Sequence, residues 1–354
     1  MRDLYNKIRN LIPVKDWSVS TNDSNKSNND FRDGLSDYLD LYVSILKKEH
    51  QLLEEKKINP DVVIKQIEEI CNKLKRCVEL YFDGRFNSAY NIIKDILSDN
   101  IFNDCIITIS KGETFYRARK SFTPKDPLKE IFHIPLNKRG IISTQRFSTP
   151  GYPCLYLGSS INACWEELER PNFDSMMVSR FVVNHDFRVW DLRIPNENDF
   201  INNLSITLIK LPLVIASSIC VLEHDASFKP EYIIPQFIIE YILSKNRDQF
   251  ENKQCGLFDF ILGVYYTSSH INDELKFPDK TFDNLALPAV LVEKDSEYCQ
   301  LLASYFGFSK PTSYGLEDIR RRFEPNIFEG EDLQKKLKKK IIINILKWVY
   351  LKID

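Results

Sequence analysis

Cys154-Leu155-Tyr156-Leu157-Gly158-Ser159-Ser160-Ile161-Asn162-Ala163-Cys164-Trp165-Glu166-Glu167-Leu168 joins a strand pattern to a helix pattern through a small-residue break. It opens as a short apolar and aromatic run of strand length, which Gly158 and two serines then break. Ser159-Ser160 offers hydroxyls to cap the free N–H groups of a helix, predicted over Ile161 to Leu168. On that helix Ile161, Cys164, Trp165 and Leu168 form one apolar stripe, expected to face the core. Glu166 and Glu167 project off the stripe, about 100° apart at ~3.6 residues per turn. Only one of the two acids is therefore expected to aim at a given cleft.

Further runs of β-branched and aromatic residues lie on both sides: Ile106–Ser110, Thr114–Arg119, Met177–Val183, Ile219–Glu223 and Leu262–Thr267. They predict strands. A second helix is predicted from Tyr232 to Ser244, with Pro235 in its first turn. Strands with occasional helices, without regular β-α-β alternation, indicate an α+β fold. Upstream of Ile101 the period is helical, over Phe31 to Lys57, Asp61 to Phe82 and Asn87 to Leu97, with Asn59-Pro60 and Gly84 as breaks. The chain thus divides into an N-terminal helical region over 1–100, with a polar linker at 21–30, an α+β domain over 101–328, and a tail over 329–354. The helical region reads as packing or partner-contact surface. The tail is basic, then apolar; it reads as a lysine-rich turn followed by a packed segment, with a membrane-surface helix or partner segment as the alternative.

At 354 residues and 43% hydrophobic content the chain can bury one sizeable core and a smaller lobe. A formal charge of -2 supplies no global basic field, so nucleic acid is not an expected partner. Apolar stretches such as Leu211 to Ala216 fall short of the ~18 residues that a spanning helix needs. The first residues carry no signal-peptide pattern, and a cytoplasmic location is expected. The eight cysteines form no CxxC, and the five histidines show no HxxxH or HExxH spacing. Reduced thiols and no local zinc motif are expected. Glycine-rich nucleotide loops and the GxSxG elbow are absent from the sequence.

Four segments carry the candidate chemistry. They are Phe115-Tyr116-Arg117-Ala118-Arg119; Gln145-Arg146-Phe147, continuing through Gly151 to Tyr156; Ala163-Cys164-Trp165-Glu166; and Gly263-Val264-Tyr265-Tyr266-Thr267-Ser268. In this order they resemble the RES family, named for its arginine, glutamate and serine. That family has a YR strand, a GRW/F-x-x-x-G-x-x-x-x-Y segment, an A-x-x-E helix and a G-[IV]-x-Y-x-S strand end. Ile233-Ile234-Pro235-Gln236 also looks like its longer members. The resemblance covers Gly112 to Gly307. Gln145 stands where the family has glycine, and Phe147 where tryptophan is commoner. Glu166 is followed by a second acid, which leaves two candidates for the acting carboxylate; spacing from Ala163 favours Glu166.

The resemblance implies a bacterial toxin of a toxin–antitoxin pair that degrades NAD by hydrolysis or phosphorolysis, on a mixed sheet similar to that of ADP-ribosyltransferase toxins. NAD is then substrate, with no cofactor and no metal. A cognate antitoxin and self-association are the partner expectations. The residue types suit this chemistry. Cleaving the nicotinamide–ribose bond builds oxocarbenium character on the sugar, as glycoside cleavage does, and a carboxylate such as Glu166 stabilises it. Arg117 and Arg146 offer planar forks to a diphosphate, and Arg119 shares a strand face with Arg117. The Tyr156 ring can stack on nicotinamide or pack the ribose. Ser268 is assigned polar contact with the nicotinamide-ribose end, and His270 reads as a surface or cap residue. Two other readings stand beside this one: an ADP-ribosyltransferase acting on a macromolecule, and a degenerate RES domain serving as a binding or regulatory module. The helical region is also a candidate for restraining the enzyme in cis or sensing a trigger.

Overall fold

The β-branched and aromatic runs form strands, and the periodic runs form helices. The computed structural model describes residues 1–14, 30–120, 127–172, 175–252, 260–269, 282–290 and 296–313. The expected tail at 329–354, His270 and nearly all of the linker at 21–30 lie outside these residues.

The N-terminal lobe consists of α1 (Arg2–Arg9), α2 (Phe31–Lys48), α3 (His50–Glu55), α4 (Pro60–Phe82) and α5 (Phe86–Leu97). The side chain of Asp30 accepts from Arg32 N at 2.9 Å and caps α2. Asn59 caps α4 ahead of Pro60, as the missing N–H of a first-turn proline allows. The single helix expected over 31–57 is broken at Glu49, whose carboxylate takes Lys7 Nζ at 2.6 Å.

The remainder adds β1 (Ile106–Ile109), β2 (Thr114–Lys120), α6 (Pro127–Glu130), β3 (Cys154–Gly158), α7 (Ile161–Glu167), β4 (Met176–Val183), β5 (Phe187–Leu192), α8 (Glu197–Asn202) and α9 (Leu204–Ser217). It continues with α10 (Ile233–Glu251), β6 (Ile261–Thr267), β7 (Asp283–Pro288), α11 (Gln300–Tyr305), β8 (Phe306–Phe308) and β9 (Thr312–Ser313). Among the described residues the strands form one sheet in the order β1-β5-β6-β7-β3-β2-β4-β8, with β9 also on β4. The pair β5–β6 is parallel and the others are antiparallel. The architecture is mixed α+β with a helical N-terminal region and a central mixed sheet.

Strand alternation sends side chains to two cores. On one face Tyr156, Trp190, Leu192, Tyr266 and Ala286 join the N-terminal lobe, α9 and α10 in one apolar cluster. On the other, Leu155, Leu157, Phe181, Val189 and Leu285 pack with α11 and the Phe132 region. Gly263 is needed between β6 and β7, because a Cβ there would sit 2.1 Å from the Ala286 carbonyl oxygen.

The strand expected at Ile219–Glu223 requires correction, and two elements, α9 and β7, have no counterpart among the sequence expectations. Ile219–Glu223 is no strand: Ile219 and Val221 are buried, but the segment runs irregularly after α9, with Cys220 N donating to Val14 O at 2.8 Å. Helix α9 itself gave no period to read, because almost every side chain along it is buried. The same uniform burial hid β7, a strand covered on both faces and therefore without alternation.

Helix α9 also contains Pro212, which lacks the N–H that would bond the carbonyl four residues back. That carbonyl belongs to Leu208, and it accepts instead from Tyr42 Oη of α2 at 2.8 Å. The helical lobe thereby repairs a defect in the helix beneath the sheet.

Candidate active site

The sheet is fully laddered on both sides of β2 and β3 but barely between them. β2 pairs with β4 from Thr114 to Lys120, and β3 with β7 from Cys154 to Gly158. Between β2 and β3 the register holds only Tyr116 opposite Gly158. A cleft of about 350 Å³ lies here. Its walls come from β2, β3, α7, the ends of β6 and β7, and the loop from Ile141 to Ser148. No residue of the helical lobe lines it among the described residues, so occlusion in cis by that lobe finds no support there.

Arg117 bridges the gap: Nη1 donates to the Tyr156 carbonyl of β3 at 2.8 Å. Its Nε is buried without a hydrogen-bond partner, and it forms no ion pair among the described residues. One side of the residue meets the cleft, yet its guanidinium lies deep in the protein. This desolvation, reinforced by the like charge of Arg119, pushes its pKa down to about 9. It still carries its charge at neutral pH. Arg119 does not reach the cleft; its Nη2 donates to the Phe132 carbonyl at 3.3 Å.

Arg146 enters from the loop. Nη1 donates to Ser217 O and Nη2 to Ser269 Oγ, each at 2.9 Å, and the guanidinium lies 5.3 Å from the centroid of the Tyr232 ring. Several contacts hold the loop. Phe147 is fully buried against Tyr266, with ring centroids 4.6 Å apart. Phe147 N donates to Tyr156 Oη at 3.2 Å. Gln236 Nε2, in the first turn of α10, lies 2.9 Å from Thr144 Oγ1, 3.0 Å from Gln145 O and 3.2 Å from Ser148 O. Tyr156 therefore both lines the cleft and braces the arginine loop; burial raises its phenol well above the ordinary value.

Helix α7 separates the two acids. Ser160 caps it by accepting from Ala163 N at 3.0 Å. Gly158 lets it close on β3, since a Cβ there would meet Cys164 Sγ at 2.8 Å. The buried positions are Ala163, Cys164 and Glu166; Ile161, Trp165 and Leu168 are only half-buried. The expected apolar stripe is thus displaced, and the acids follow. Glu166 does not line the cleft: its Oε2 accepts from Arg170 Nε at 2.9 Å. Arg170 is brought back by left-handed residues at 169 and 170, with φ values of 60° and 54°. Glu167 is the carboxylate that lines the cleft. Its Oε1 accepts from Ser268 Oγ at 2.5 Å and from Asn284 Nδ2 at 2.7 Å.

The structure thus brings together Arg117, Arg146, Tyr156 and Glu167, with Ser268 behind Glu167. Glu166 stands outside, and Glu167, the alternative acid, takes its place. Ser268 is completely buried and does not line the cleft, so it reaches a ligand only through Glu167; Ser269 is the serine at the wall. Asn284, Tyr232 and Gln236 were missed as site residues. The readable signal for Asn284 was a polar pair, Asp283-Asn284, entering an apolar run. Among the described residues no group of three metal-ligating side chains occurs, and the seven described cysteines form no disulfide with one another. No helix there is long and apolar enough to cross a membrane.

A family model described as RES domain matches residues 114–287, which contain every cleft-lining residue named above. A protein of Bacillus subtilis (strain 168), named "Putative toxin YopC", is 34% identical over 303 residues; the match covers 77% of this chain. The chain spans 64% of the length of that curated relative. No solved structure matches.

Proposed function

Residues 114–287 belong to the RES domain family, and from that premise we propose that the chain is an NAD-degrading enzyme that cleaves the nicotinamide–ribose bond by hydrolysis or phosphorolysis. The observation that carries this reading is the Arg117 guanidinium, sunk in the cleft, without an ion pair among the described residues and with its Nε unpartnered. A buried cation left without a counter-charge is costly. An anionic ligand supplies the missing partner, and Arg146 offers a second fork for a diphosphate.

In this reading Glu167 faces the ribose. The C–N bond breaks with its electron pair going to nicotinamide, which leaves neutral, and positive charge develops on the sugar. The carboxylate stabilises that charge. Water or phosphate then attacks the anomeric carbon, and a proton is released when the attacker is water. Tyr156, Tyr232 and Tyr266 offer aromatic surface around the cleft for the nicotinamide and adenine rings.

The fold relation to ADP-ribosyltransferase toxins and a growth-arresting role belong to the same proposal, as does a cognate antitoxin; the name of the Bacillus subtilis relative accords with a toxin. The test is purified protein with NAD alone, with and without phosphate. Release of nicotinamide with ADP-ribose marks hydrolysis, and a phosphorylated ADP-ribose marks phosphorolysis. Nicotinamide release that depends on an added macromolecule would make the chain a transferase. No NAD binding and no release under any condition would leave it a binding module.

A further inference from the structure

We propose that Asn284 is a positioning residue that fixes the orientation of the Glu167 carboxyl group, acting as an obligatory hydrogen-bond donor. The inference rests on the reading of Glu167 as the acid of the NAD cleft.

Asn284 is buried on β7, directly opposite Gly158 at the end of β3. Its Nδ2 lies 2.7 Å from Glu167 Oε1, the same oxygen that takes Ser268 Oγ at 2.5 Å. Donors on β7 and just beyond β6 thus converge on one carboxylate oxygen and fix the plane of the group.

Among the described residues, the other groups near Glu167 are engaged as follows. Cys164 on its own helix is a thiol whose pKa burial raises to about 12. Tyr266 of β6 and Tyr232 ahead of α10 are phenols raised by burial and by the negative charge of Glu167. Arg117 and Arg146 donate to Tyr156 O, Ser217 O and Ser269 Oγ. Asp283 accepts from Thr267 Oγ1 at 2.7 Å, and Glu166 from Arg170.

The discriminating variant is Asn284→Asp, nearly identical in shape. The introduced carboxyl donates to Glu167 only while protonated. Once both acids are ionised they repel, and the orientation is lost. The pair shares a proton, so its upper apparent pKa is raised.

NAD turnover and carboxyl 13C titration are measured across pH 5 to 9 for wild type, Asn284→Asp and Asn284→Ala, with Glu167→Gln assigning the signal. The expected result is that Asn284→Asp stays near wild type at the acid end and falls about tenfold or more relative to it as pH rises through the upper pKa of the pair. Asn284→Ala is low throughout. In the titration, Asn284→Asp shows a second, elevated carboxyl pKa that Glu167→Gln abolishes. A purely structural asparagine would change yield or thermal stability and leave the shape of the pH profile alone. Parallel profiles and an unmoved carboxyl titration overturn the inference. If wild type releases no nicotinamide, the NAD reading falls, while the titration still decides whether Asn284 governs Glu167.

Discussion

One helical step separates the carboxylate that lines the cleft from the one that does not. Glu167→Gln should lower NAD turnover about 100-fold or more, as loss of a charge aimed at a developing cation does, while Glu166→Gln retains turnover within a few-fold. Steady-state rates on folded variants check this, and the opposite order would return the role to Glu166. Arg117→Ala should weaken NAD binding about tenfold or more, the scale of a lost charged hydrogen bond; calorimetric titration reads it. His133 gives a pH prediction of another kind. It is fully buried: Nε2 accepts from Cys299 N, and Nδ1 lies 2.8 Å from Ile134 O. Burial pushes its pKa down to about 4, against ~6.5 in an unfolded chain. Below ~6.5 the unfolded state binds the proton that the folded state refuses, so the stability it contributes is lost as pH falls between these values. The loss from pH 7 to pH 5 should be about 2 kcal/mol. Urea unfolding at the two pH values measures it, and a His133→Gln variant with the same pH slope as wild type would refute it.

At the scale of elements, the meeting of α2 with α9 is the most informative contact. The Leu208 carbonyl, orphaned by Pro212, depends on Tyr42. Tyr42→Phe should cost about 1–3 kcal/mol, the desolvation penalty of a buried acceptor left unmade. In a Pro212→Ala background the backbone N–H returns and the same substitution should cost less. Urea unfolding of the four proteins of this cycle gives the coupling, and additive effects would show that the tyrosine contributes only packing. The loop that carries Arg146 shows the same economy: Phe147, Tyr156 and Gln236 hold it from three directions, so the guanidinium enters the cleft already oriented.

Across the whole molecule, the helical lobe and the sheet share one apolar cluster running from Leu4 to Ala286. The lobe packs on α9 and α10, the helices that lie against one face of the sheet, and leaves the cleft unlined by its own residues. A chain lacking residues 1–105 should therefore expose the apolar surfaces of α9 and α10 and lose cooperative unfolding or aggregate. Circular dichroism melting and gel filtration check this. A monodisperse, cooperatively folding truncation would show that the lobe is an independent module.

Local chemistry made much of this legible in advance. Residue type and period placed α4, α5, β2, β3, β4 and β6, the Ser160 cap and the first-turn proline of α10, because caps, breaks and alternation are written within a few neighbouring residues. The four motif segments put Arg117, Arg146 and Tyr156 at one cleft. Elements buried on every side, α9 and β7, left no alternation to read. The choice between Glu166 and Glu167 was equally out of reach, since both lie off the apolar stripe. It depends on the angle at which α7 docks, and that angle is set by Gly158 against Cys164, by Arg170 curling back, and by Ser268 and Asn284 arriving from strands more than a hundred residues away. Sequence spacing determines which side chains share a helix; only packing between distant segments decides which of them meets the cleft.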